Sequence, residues 1–409
     1  MSVKSVASFV VGGLAMWTMV GKDPWKLFFE SSTSFTKDLY SAVLATQTND
    51  YVFSPLSVRV VLSLLKLGAR GETAERIAKL LSLPSDRVIR KSGLSLILKL
   101  KNNNKGSVSI HNIFYINKYA KVNEIFKKNG RKYFNTSIEQ LDFADSQSAY
   151  EALHYWIDDK TNYTTREKDL FEIDDLNYDI KMVSLNAMRF FGKWIAKSII
   201  QTNDTFNLNE KETTMIPFLK IETSYVRYHN FEDLDAVGIE LPYEGGEYTM
   251  LFLMANEDDG LSHLEKSLTV INLQTLELTE QFPNVIVYVP EFDISTNLDL
   301  REPLRKLGLS DLFEDDACLR GIAPKIKLEF MKQTTTLGVD ETGTQVTVAT
   351  AGNAHKVINY RNKRKEKKMN FKIDRPFVFM IREIQTLGPL FIGRYTGFKD
   401  EVVETIELF

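Results

Sequence analysis

The stretch Val339-Asp340-Glu341-Thr342-Gly343-Thr344-Gln345-Val346-Thr347-Val348-Ala349-Thr350 reads as a pivot followed by a strand. Gly343 lacks a Cβ and tolerates a backbone change that other residues resist, so Glu341, Thr342 and Gly343 form the pivot. From Thr344 onward the side chains alternate, with Thr344, Val346, Val348 and Thr350 on one face and Gln345, Thr347 and Ala349 on the other. One face is small to medium and fairly apolar, and the other is polar or small. No charge and no proline interrupts the run, and its valines favour extended geometry. A segment of this composition can serve as a central strand of a sheet.

Downstream the character changes abruptly. Residues 356–368 carry seven basic side chains against Glu366 alone. Such a run is either a solvated basic loop or an anion-binding patch suited to a sulfated, heparin-like polysaccharide. The chain then returns to strand patterning, with a hairpin of 377–381 and 390–395 around Leu387-Gly388. Upstream, 237–243 and 248–255 are apolar runs flanking Glu244-Gly245-Gly246-Glu247, another hairpin. Residues 285–289 make a strand closed by Pro290, and 298–307 show helical spacing through Leu300, Leu304 and Leu307, stopped by Gly308. Near the start, Ser54-Pro55 is a helix beginning, with serine capping and proline at the first helical position. The apolar run that follows lies mostly in the core and stops at Gly68 and Gly71. The next helix aligns Ala74, Ile77, Ala78 and Leu81 as one buried stripe. Helices early and strands late, without strict alternation, indicate an α+β fold.

Composition narrows the functional classes. The chain has 409 residues, 44% of them apolar and 26% charged, and a net charge of −3. That balance fits a globular protein and argues against a nucleic-acid surface. No linker-like stretch or internal repeat divides the chain, so 22–409 is read as one domain. A single cysteine, Cys318, excludes an internal disulfide framework, and Asp315 and Asp316 beside it disfavour the thiolate of a nucleophile. The histidines (His111, His154, His229, His263 and His355) have no metal-ligand spacing, and no nucleophile elbow or phosphate loop is present. No enzymatic chemistry is therefore expected. Residues 1–21 combine the early charge of Lys4, a short apolar run and small residues, the pattern of a secretory signal, and too few apolar residues follow one another to span a membrane. Three sequons, at Asn135, Asn162 and Asn203, agree with a secreted glycoprotein.

Several segments resemble the signature blocks of the serpin family, in the family's order. They are Phe53-Ser54-Pro55-Leu56-Ser57 with Leu67-Gly68-Ala69-Arg70-Gly71-Glu72-Thr73-Ala74, Asn186-Ala187-Met188-Arg189-Phe190-Phe191-Gly192-Lys193-Trp194, and Glu240-Leu241-Pro242-Tyr243. Farther on come Leu304-Arg305-Lys306-Leu307-Gly308-Leu309-Ser310-Asp311-Leu312-Phe313, Phe371-Lys372-Ile373-Asp374-Arg375-Pro376-Phe377 and Leu390-Phe391-Ile392-Gly393-Arg394. Together they cover nearly everything from about Phe29 onward. The resemblance implies three β-sheets, eight or nine helices and an exposed reactive loop between Gly343 and Phe371, about 343–370.

It also implies a mechanism. Family inhibitors let a protease cut the loop, whose N-terminal arm then enters the large sheet and drags the acylated enzyme with it. Two departures from the family pattern bear on this. Inhibitory members carry alanines where Val346-Thr347-Val348 stands, and the valines are expected to insert more slowly or to fit less well under the overlying helix. The strand before the hinge has Gln333 where histidine is usual; its amide can join a polar cluster with Ser54, Ser57 and Asn186, and Trp194 belongs to the same structural region. Counting from Gly343 places the cleaved bond at Val357-Ile358, beside Lys356; counting back from Pro376 places it near Arg364-Lys365. Arg361-Asn362-Lys363-Arg364 has the Arg-x-Lys-Arg form cut by furin-like convertases. The expected molecule is a secreted monomer that traps a trypsin-like or furin-like serine protease covalently, without cofactor, nucleic acid or membrane. The alternative is a non-inhibitory binding or carrier protein. A sulfated polysaccharide on Arg87, Arg90, Lys91, Lys99 and Lys101 is a further candidate partner, although these residues could equally be a solvated face.

Overall fold

The computed structural model describes residues 24–83, 85–101, 106–161, 170–345 and 369–397. Residues 1–21 therefore lie outside the described part of the chain, as do Asn162, Val346 to Thr350 and Lys356, Val357, Ile358, Arg364 and Lys365.

The first third is mainly helical. Helices α1 (Pro24–Glu30) and α2 (Thr33–Leu44) lead through β1 (Tyr51–Phe53) into α3 (Pro55–Gly68), α4 (Gly71–Leu81) and α5 (Asp86–Lys101). The start of α3 follows from its sequence: the Ser54 hydroxyl accepts from the Ser57 N–H and Pro55 occupies the first turn, where its missing N–H costs nothing. Almost every residue of α3 is buried, which makes it the central helix of the molecule. One of them is a cation. Arg59 donates from Nη2 to the Ser31 hydroxyl (2.8 Å) and the Leu81 carbonyl (2.7 Å), and its guanidinium lies 4.9 Å from the centroid of the Phe28 ring.

After β2 (Gly106–Asn117), α6 (Glu124–Phe134), β3 (Thr136–Leu141) and α7 (Ser146–Thr161), strands take over. They are β4 (Met182–Gly192), β5 (Ser198–Asn207), β6 (Thr213–Phe231), β7 (Ala236–Pro242) and β8 (Tyr248–Ala255). Helix α8 (Leu261–Leu268) precedes β9 (Glu280–Pro290) and β10 (Phe292–Asp299), and α9 (Arg301–Lys306) precedes β11 (Phe330–Asp340). The last strands are β12 (Gly343–Gln345), β13 (Asn370–Lys372), β14 (Phe377–Glu383) and β15 (Pro389–Tyr395). The helical reading of 298–307 is corrected at its front. Phe292, Ile294, Thr296 and Leu298 are buried at a period of two as β10 pairs with β11, so the helix starts only at Arg301.

The nine α-helices and the mixed sheets among the described residues make the expected α+β architecture. Six strands form one sheet in the order β10-β11-β12-β4-β2-β3, and nine form another. Two of the expected three sheets are continuous here, because β6 pairs with β5 and β9 along one part of its length and with β7 along another. The main core lies between the sheets and around α3. A second, smaller one seals α7 (Leu153, Trp156 and Ile157) onto the outer face of the six-stranded sheet at Ile113, Leu185 and Ala187.

Candidate functional site: the slot between β4 and β11

Strands β4 and β11 run parallel and pair directly from Phe330↔Val183 to Thr335↔Met188. Above that point they part, and β12 fills the space. It pairs antiparallel with β11 (Asp340↔Gly343, Val339↔Thr344, Gly338↔Gln345) and touches β4 at Thr344↔Gly192. The chain reverses between β11 and β12 through Glu341 and Thr342 alone, a turn closed by the Asp340 carboxylate, which accepts from the Thr342 N–H (2.7 Å) and hydroxyl (2.6 Å). Gly343 has φ +139°, and a Cβ there would lie 2.0 Å from the Gly192 carbonyl oxygen. Only glycine fits.

Both ends of the loop that the resemblance implied are strand rather than loop. Gly343 and Thr344 are buried in the sheet and Asn370 and Phe371 belong to β13, so neither end of the expected loop is free. The reason is local chemistry. The Thr344 hydroxyl points inward and makes a 2.6 Å hydrogen bond with the hydroxyl of Tyr243, a fully buried side chain. Tyr243 stacks on Trp194 at 4.5 Å and meets Phe190 edge-on at 4.9 Å. Burial drives the Tyr243 hydroxyl pKa far upward, with the Thr344 bond opposing, so the group stays a neutral donor and acceptor. Spacing gave no sign of Tyr243 as the hinge's partner; it was visible only as the end of Glu240-Leu241-Pro242-Tyr243.

Lower in the slot the structure brings Ser54, Ser57, Asn186 and Gln333 together. The Gln333 amide donates to the Ser54 carbonyl (3.1 Å), the Ser57 hydroxyl (2.7 Å) and the Asn186 side-chain oxygen (2.8 Å). Its oxygen accepts from the Ser54 N–H (2.8 Å) and the Thr335 hydroxyl (3.3 Å). Ser57 also donates to Asn186 at 2.7 Å, and Asn186 donates onward to Asn112 on β2. The start of α3 is thereby tied to β2, β4 and β11 by uncharged groups. The cluster is cohesive and uncharged, with the buried Asn112 amide nitrogen left without a partner among the described residues at its far end.

Outside the slot, Asn135 and Asn203 are both exposed, Asn135 at the C-terminal end of α6 in a left-handed conformation. On α5, Arg87 and Lys91 are exposed, Arg90 lies 3.9 Å from Asp86, and Lys99 pairs with the buried Glu383 at 3.2 Å. Among the described residues no cluster of potential metal ligands occurs, and no helix is long and apolar enough to cross a membrane.

Known proteins resemble this chain along nearly its whole length. The chain is 27% identical to human Serpin B3 over 396 residues, covering 90% of this chain and 98% of that one. It is 29% identical to the horse leukocyte elastase inhibitor over 393 residues, with the same coverage. The solved structure of Serpin48 from the insect Tenebrio molitor superposes with a TM-score of 0.79 at 26% identity, covering 91% of this chain and 98% of that one. The family model described as Serpin (serine protease inhibitor) matches residues 30–397. With a parallel strand pair parted at one end, a glycine pivot seated in the opening and these relatives along nearly its whole length, the chain belongs to the serpin family.

Proposed function

We propose that this protein is a secreted inhibitor of a basic-specific serine protease, acting by cleavage of the segment after Gln345 and insertion of its N-terminal arm between β4 and β11. The observation that carries the reading is the register of β12. Extended downward on insertion, that register would set Val346 opposite Leu337 and Phe190, Val348 opposite Thr335 and Met188, and Thr350 opposite Gln333 and Asn186. Thr344 faces the core, so alternation sends Val346, Val348 and Thr350 to the same side. The valines then meet Leu337, Met188 and Phe190, which are apolar core residues, while the small Thr347 and Ala349 face α7. In that register the valines would point away from the overlying helix. Insertion requires the six residue pairs from Phe330↔Val183 to Thr335↔Met188 to separate. Thr350 would arrive where Gln333 and Asn186 lose each other, with a hydroxyl able to bond either.

The basic run 356–368 favours a protease with an acidic cleft, trypsin-like or furin-like, with Val357-Ile358 and Arg364-Lys365 as the candidate bonds. Its charge, with Arg87 and Lys91 on α5, also suits a sulfated polysaccharide as an accessory partner. Secretion is supported by the signal pattern of 1–21 and by the exposure of Asn135 and Asn203. The test is to incubate the full chain with trypsin and with a furin-like convertase. A band at the summed mass that survives boiling in detergent is expected, with the released C-terminal peptide locating the bond. Clean cleavage without that band, across a wider panel of proteases, would remove the inhibitor reading. A carrier is the second reading, favoured by the valines standing where the family's inhibitors have alanines. A carrier would gain no heat stability on cleavage.

A further inference from the structure

We propose that the half-open cavity framed by α3, α4, α5 and α6 binds a small organic monoanion, a carboxylate carried on an apolar body. The cavity measures about 390 Å³, within the range of small-ligand sites. It lies away from the slot, and nothing in the inhibitory cycle uses it.

Three observations give the ligand its sign. First, the opening residues of two eleven-residue helices line it, Gly71 of α4 and Asn123 with Ile125 of α6; Asn123 already caps the Ile125 N–H at 2.8 Å, and the positive dipole ends of both helices still face the cavity. Second, the charges around it do not cancel. Asp86 engages Lys66 and lies 3.9 Å from Arg90, and Glu75 is the other carboxylate on the wall. Arg70 has no carboxylate partner among the described residues. It donates from Nη1 to the carbonyls of Leu67 (3.0 Å) and Ala69 (2.6 Å), which leaves one positive charge unanswered. Third, and independently, Asn129 of α6 lines the cavity while only 8% exposed, and its side-chain amide makes no hydrogen bond among the described residues. The amide opens onto the cavity, where a ligand or water can answer it. Arg70 and Asn129 offer donors to one carboxylate, and Ala74, Ile125 and Phe126 supply the apolar surface for its body.

Calorimetric titration of the full chain with 1-naphthoate, against the neutral 1-naphthalenemethanol, tests the site. Saturable binding of the acid is expected, with the alcohol at least about tenfold weaker, the worth of one charge-assisted contact. Asn129→Asp should weaken the acid by about tenfold or more and leave protease trapping unchanged. If that variant does not fold, Ala74→Phe blocks the cavity from a different helix and should abolish the heat. Equal binding of acid and alcohol, no heat at millimolar acid, or full binding by the folded variant overturns the proposal.

Discussion

Between the same two strands, β4 and β11, the upper and lower stretches of the slot are closed by different means. Above, a third strand is already in place, held by one hydroxyl pair between Thr344 and Tyr243 and by a glycine that nothing else could replace. Below, the strands touch directly and an uncharged network centred on Gln333 crosses from one to the other. The upper closure is a plug fitted by shape. The lower is a lock made of hydrogen bonds, each of which insertion must break and could remake. A slot built this way should open from the top, because the plug extends along the path that the lock blocks.

The strongest blow to this contrast is Thr344→Arg. A guanidinium forced into that position would have no anionic partner, a cost of several kcal/mol. Trapping should fall by at least about a hundredfold, with the protein turning from inhibitor into substrate on a denaturing gel. Retained trapping would mean the plug is not the leading edge of insertion. Next comes Gln333→Ala, which leaves Ser54, Ser57 and Asn186 without their shared partner. About 2–4 kcal/mol of stability should disappear in denaturant unfolding, and a loss below 1 kcal/mol would show the lock to be slack.

A finer probe is Gln333→His. No carboxylate belongs to the network, so a histidine there would be held neutral, with its pKa below the unfolded value of about 6.5. The unfolded chain would then bind more protons, and stability should fall as pH drops below about 6.5 while staying level above it. With glutamine the network itself contributes no such slope, and thermal melts of both proteins from pH 8 to pH 5 make the comparison. The smallest effect is expected from Tyr243→Phe. Removing one hydroxyl should loosen the plug by about 1 kcal/mol, seen as about fivefold faster amide exchange at Thr344 and Gln345 with global stability nearly unchanged.

Much of this was legible in the sequence because it rests on local rules. The serine and proline at positions 54 and 55 announce α3, and the glycines around 245 announce the β7–β8 turn. The alternation after Gly343 carries a strand whichever sheet it joins. The polar partners of Gln333 could be named because the signature blocks fix where each stands. Tyr243 was not readable as the partner of Thr344, since the pair is a hundred residues apart in sequence and only packing against Trp194 and Phe190 brings them together. Leu300, Leu304 and Leu307 suggested too long a helix, because leucines two apart on a strand and four apart on a helix overlap at Leu298 and Leu300. That Gly343 to Gln345 lie inside the sheet was equally hidden, for the residues that permit insertion are the same whether or not it has begun.

Strand β6 has a consequence beyond topology. Its 19 residues run unbroken through both regions of the larger sheet, and residues Phe218 to Glu222 are flanked by β5 on one side and β9 on the other. A strand held on both sides over this stretch is poorly suited to act as a joint. It makes the nine-stranded sheet the stator of the molecule, the fixed body against which the slot works, and its central amides should be among the last to exchange with solvent when everything around the slot has already let go.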